Sequence, residues 1–113
     1  MVTSSSDETI RRMVGEIVHA VDPEQVILFG SRATGTARAG SDFDFLIIEK
    51  DPFGKGRSRR KEAARIWRAL IPFDLSKDIL VYSREDSELY RNEPAHVIGQ
   101  AFKYGKVLYE KER

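Results

Sequence analysis

Gly30-Ser31-Arg32-Ala33-Thr34-Gly35-Thr36-Ala37-Arg38-Ala39-Gly40-Ser41-Asp42-Phe43-Asp44-Phe45-Leu46-Ile47-Ile48 is the stretch on which the rest of the chain is read. It joins a small polar turn to two carboxylates placed one residue apart at the start of an apolar strand. Upstream, Val26-Ile27-Leu28-Phe29 is a short apolar run ended by glycine, which predicts a buried strand. Gly30 lets the backbone turn sharply and come close to a ligand. Ser31 offers N-cap chemistry for a short helix over residues 31–35. The free N–H groups at such a helix start can hold phosphate oxygens, and Arg32 can add a bidentate phosphate contact.

The second half predicts a strand over residues 42–49. Alternation puts Asp42 and Asp44 on one face, with Cα atoms about 6.6 Å apart from two rises of roughly 3.3 Å. Carboxylates at that spacing can converge on Mg²⁺. Phe43 and Phe45 point the other way, into a core. Leu46 and Ile48 continue the charged face as apolar, so something must cover the strand beyond Asp44. An isolated Asp-x-Asp is commonly a solvated turn. Here both carboxylates enter a run of Phe, Leu and Ile, where charge is costly unless a cation or water relieves it.

At 113 residues the chain has room for one domain, 1–113, burying about 65% of its extended surface. Hydrophobic residues make up 41% and charged residues 33%, and the formal charge is +1, so global charge singles out no nucleic-acid partner. Without cysteine there can be no disulfide, iron–sulfur cluster or cysteine zinc site. No apolar run approaches the ~20 residues that span a bilayer, and a cytoplasmic, membrane-free protein is the expectation.

Ser5 and Glu8 have the spacing of a capping box, followed by Ile10, Met13, Val14, Ile17, Val18 and Val21 at helical spacing. Asp22-Pro23 stops that helix. After the central motif, a helix is predicted over residues 57–71, burying Ala63, Ile66, Trp67 and Leu70. A third strand ends in Ile79-Leu80-Val81-Tyr82, and Ser83 is positioned to cap a short helix. A last helix is predicted with Pro94 near its first position and Gly105 just past its end. Residues 107–109 form a final extended piece. His19 and His96 are expected inside helices as surface or packing residues. The order implies an α+β fold, a mixed sheet of three to four strands with helices mainly on one face. The short link from Phe29 to Asp42 makes those strands antiparallel neighbours, and the longer link to the third strand permits a parallel crossover.

A metal shell needs further oxygen ligands, and the third strand offers two candidates. Asp78 directly precedes its apolar run and falls on the face of Leu80 and Tyr82. If that strand neighbours residues 42–49, Asp78 faces the metal site and can also accept a proton from an attacking hydroxyl. Asp74 is the substitute. The run from Lys55 to Lys61 holds five basic residues in seven. It reads first as a solvated helix start, and otherwise as a surface for phosphate, an acidic partner or RNA.

Gly-Ser, ten residues and Asp-x-Asp, with a later carboxylate on a neighbouring strand, resembles the signature of the minimal nucleotidyltransferases of the polymerase-beta-like superfamily. The ending GQAFKYGKVLYE is similar to that family's ending, so the resemblance covers nearly the whole chain. Thr34 stands where members usually carry arginine. The resemblance implies a nucleotidyltransferase fold, Mg²⁺ held by Asp42, Asp44 and Asp78, and a nucleoside triphosphate positioned by Gly30, Ser31 and Arg32. It further implies an antitoxin paired with a helical toxin of the HEPN type, to which AMP is transferred from ATP. The alternatives are a non-catalytic toxin-binding antitoxin and an RNA nucleotidyltransferase. A homodimer is compatible with either.

Overall fold

The computed structural model describes residues 5–112, with the side chains of residues 5 and 6 undescribed. The expected capping box on Ser5 therefore lies outside the described residues. In chain order the elements are α1 (Ser5–Val21), β1 (Gln25–Phe29), α2 (Ser31–Thr34), β2 (Phe43–Glu49), α3 (Arg59–Ala69), β3 (Lys77–Ser83), α4 (Arg84–Tyr90), α5 (Val97–Tyr104) and β4 (Lys106–Glu110).

The four strands form one mixed sheet in the order β3-β2-β1-β4. β1 and β2 are antiparallel, as a link too short for a crossover requires. β2 and β3 are parallel, with α3 making the crossover. The final extended piece is β4, antiparallel to β1.

Alternation gives the sheet two different faces. Val26, Leu28, Phe43, Phe45, Ile47, Ile79 and Val81 pack beneath Met13 and Ile17 of α1 and Ile66 and Leu70 of α3. On the other face, Ile27, Leu46 and Ile48 are sealed by Ile98 and Ala101 of α5, with Leu80, Tyr82 and Tyr90 beside them. The two long helices thus share one face. The short α5 caps the apolar half of the other and leaves the end bearing Asp44 uncovered. This is the cover that Leu46 and Ile48 require.

Three expectations need correction. Trp67 is not buried but 41% exposed, with Lys77 Nζ 5.3 Å from its ring centre. The buried line is Glu62 and Ile66 of α3 with Leu70 at its C-cap; Trp67 lies instead over Lys77 at the start of the outer strand β3. Pro94 lies in the turn before α5, whose first residue is Val97. His96 caps that helix rather than lying inside it, its Nδ1 accepting from the Ile98 N–H at 3.0 Å while its ring stacks on Tyr90. The basic start of α3 is held by Ser58, whose hydroxyl accepts from the Lys61 N–H, and by acidic Glu62 in the first turn.

Candidate active site

The turn after β1 is built on Gly30. Its backbone lies at φ 73°, ψ −159°, a conformation that side chains oppose. A Cβ at this position would also collide with the Asp44 carboxylate, so turn and carboxylate are in close packing. The Gly30 carbonyl accepts from the Ala33 and Thr34 N–H groups at 3.0 and 3.2 Å, winding the single turn of α2. Gly30, not Ser31, is the N-cap, and no side chain caps this helix; Ser31 is its first residue. Thr34 Oγ1 turns back toward the Gly30 and Ser31 carbonyls and bonds Thr36 Oγ1 at 3.0 Å, so it braces the turn.

Arg32 is placed on the opposite side from its expected phosphate role. Its Nε donates to the Ser41 carbonyl at 3.0 Å, and its guanidinium lies 3.9 Å from the centre of the Phe43 ring. Phe43 belongs to the α1–α3 face, so Arg32 pins the hairpin link to β2 from behind the carboxylates. The Ser41 hydroxyl completes that link by accepting from the Arg38 N–H at 2.8 Å.

Asp42 immediately precedes β2 and Asp44 lies within it. In the parallel β2–β3 register, Asp44 sits directly opposite Asp78. Asp74 lies before β3, outside the paired residues. The Asp44 carboxyl is held above its ordinary range, first by burial and then by the charges of Asp78 and Asp42. Burial and two neighbouring acids therefore oppose the ionisation of Asp44, an arrangement that a cation relieves. As the side chains lie, no three acidic or imidazole groups among the described residues converge closely enough to hold an ion. Asp42 is turned to the Ser76 hydroxyl, which donates to its Oδ1. Ser76 also accepts the Phe43 N–H on its carbonyl at 2.9 Å. Ser76 stands two residues before Asp78, and that spacing is the one sequence signal that links it to the carboxylates.

The nucleotidyltransferase domain profile matches residues 8–112. The chain belongs to the nucleotidyltransferase domain family. No curated protein matches its sequence. Among solved structures, this nucleotidyltransferase domain is similar to a candidate nucleotidyltransferase of Sulfolobus solfataricus, at 19% identity and a TM-score of 0.62, covering 94% of this chain and 81% of that one. It is also similar to a chain of a toxin–antitoxin complex with AMP-PNP, at 21% identity and a TM-score of 0.54, covering 90% and 74%. A third neighbour comes from the toxin–antitoxin pair MntA–HpeT carrying two Asp-to-Glu substitutions, at 19% identity and a TM-score of 0.53, again covering 90% and 74%. These likenesses establish the nucleotidyltransferase fold. Among the described residues no helix is long and apolar enough to cross a membrane.

Proposed function

We propose that this domain transfers a nucleoside monophosphate, AMP from ATP, to a hydroxyl of a partner protein, and that the partner is a helical toxin of the HEPN type. The observation that carries this reading is the register of Asp44 opposite Asp78, beside a Gly30 turn against which the Asp44 carboxylate packs. The neighbours with AMP-PNP and with paired Asp-to-Glu substitutions belong to toxin–antitoxin complexes, which supports both the donor and the class of partner.

Asp42, Asp44 and Asp78 are the residues that would hold Mg²⁺, with Asp42 exchanging Ser76 for the ion. When bound, Mg²⁺ offsets charge on the triphosphate and on the leaving pyrophosphate. Gly30 keeps side-chain bulk away from the phosphates, and Ser31 contributes its hydroxyl and the unpaired N–H of a helix start. Asp78, exposed on the edge strand, would accept the acceptor's proton. Arg32 acts as a positioning residue for the hairpin link.

A second reading is a protein that neutralises its partner by contact alone. One observation favours it: Arg32 is committed to Ser41 and Phe43. Incubation with each α-labelled nucleoside triphosphate, Mg²⁺ and the product of the adjacent gene tests the two. Label in the partner, lost in Asp42→Asn/Asp44→Asn, is the expected result. Neutralisation without label, unchanged in that double variant, would leave only the contact reading.

A further inference from the structure

The sheet has two outer strands, and they are protected unequally. β4 carries Lys106 and Glu110 at its ends and is followed by Lys111, which pairs with Asp22 at 2.8 Å. Among the described residues β3 pairs only with β2, and beyond Lys77 and Asp78 at its start its residues 79–82 read Ile-Leu-Val-Tyr, with neither charge nor proline to discourage a further strand. Alternate residues of such an edge direct their N–H and C=O groups outward. A groove of about 370 Å³ runs between residues 79–82 and Arg59, Arg60 and Ala63 of α3.

We propose that this open edge of β3 receives an extended, acidic segment of a partner protein as a fifth strand. The charge around the groove selects the occupant. Arg59 is engaged by Asp86 at 3.2 Å and lies over the Tyr82 ring. Arg60 and Lys61 are exposed and make no ion pair among the described residues. Of the two, Arg60 lines the groove itself. The opposite end of the edge differs. Asp74 and Asp78 are exposed there, the Lys77 ammonium beside them is turned to the Phe73 and Leu75 carbonyls, and Trp67 and Leu75 stand 41% and 40% exposed nearby. Acid is therefore attracted beside residues 80–82 and repelled beside Asp78, where an uncharged residue fits. Adjacent strands lie about 4.8 Å apart, so a fifth strand sets a residue next to Asp78 on its own face. Resting on the transfer reading above, that residue would carry the acceptor hydroxyl.

The test uses the full chain without nucleotide or Mg²⁺, so that docking is read separately from transfer. A display library of random nine-residue peptides is selected against the chain, and an enriched peptide is synthesised for fluorescence anisotropy and amide hydrogen exchange. Expected are peptides with Asp or Glu at one end and apolar residues at the other. Arg60→Glu should weaken binding about tenfold and Arg60→Ala less. Bound peptide should slow exchange within residues 79–82. Peptides with no acidic excess, binding indifferent to Arg60→Glu, or protection elsewhere would overturn the proposal. So would a chain that sediments as a dimer with residues 79–82 already protected, because a second copy would then own the edge. Docking without transfer would count against the catalytic reading alone.

Discussion

At the scale of single residues, the Gly-Ser turn and the paired carboxylates could be read from sequence because each depends on local geometry. Positive φ needs glycine, and alternation puts Asp42 and Asp44 on one face. Arg32 could not be placed that way. Whether an arginine on a four-residue helix meets phosphate or a ring depends on which sheet face lies beneath it, and Phe43 is a tertiary neighbour. Two predictions belong here. Gly30→Ala forces a side chain into the left-handed region and onto the Asp44 carboxylate, so it should lower stability by at least about 1–2 kcal/mol and abolish triphosphate binding. Urea unfolding and titration calorimetry check both. Asp44→Asn removes a charge that burial, Asp78 and Asp42 all oppose, so without metal it should leave stability unchanged or raised while ending Mg²⁺-dependent binding. Full Mg²⁺-dependent binding by Asp44→Asn would remove this residue from the site.

At the scale of elements, the strands were legible and the helix ends less so. The 57–71 helix is shorter, Arg59–Ala69: Ser58 caps its start, Leu70 caps its end, and Arg57 lies before it in an ion cluster at the far end of β2. There Arg57 meets Glu49 at 3.0 Å and Glu62 at 3.9 Å, and Arg65 meets Glu62 at 2.9 Å. The Glu49 carboxyl is pushed up to about 7, first by burial and then by the neighbouring Glu62 carboxyl, against the pull of Arg57. Glu62 is drawn down despite its own burial by Glu49, Arg65 and Arg57. An unfolded Glu49 loses its proton near 4.5, so between there and about 7 the folded chain holds a proton that the unfolded chain has lost. Stability should therefore fall as pH rises through that window, by on the order of 3 kcal/mol. Glu62 acts with the opposite sign and lower down, its contribution lost as pH drops through and below its ordinary range. Glu49→Gln should flatten the fall between pH 5 and 7. An unchanged pH profile of urea midpoints in this variant would exclude Glu49 as its source.

At the scale of the whole molecule, sequence order was enough to predict the antiparallel and parallel neighbours, because link lengths restrict both. It could not show how α5 seats on the second face, since that depends on contacts between distant segments. Gly15 and Gly99 make the difference measurable. Both are helical glycines, in α1 and α5, and propensity alone predicts the same gain of up to about 1 kcal/mol on replacement by Ala. A Cβ on Gly15 meets nothing within 4 Å, so Gly15→Ala should realise that gain. A Cβ on buried Gly99 would strike the Glu93 backbone in the turn leading into α5. Backbone cannot rotate aside as a side chain can, so helix or turn must shift, costing about 1–3 kcal/mol. Ile98 and Ala101 would then loosen over Leu46 and Ile48, while the carboxylate end of the sheet, which α5 does not cover, stays as it is. Thermal unfolding should raise the midpoint for Gly15→Ala and lower it for Gly99→Ala, each by several degrees per kcal/mol. Nucleotide binding well below either midpoint should match the parent. Equal stabilisation by both substitutions would mean that α5 does not rest against Glu93, and the cover over the second face would have to be redrawn.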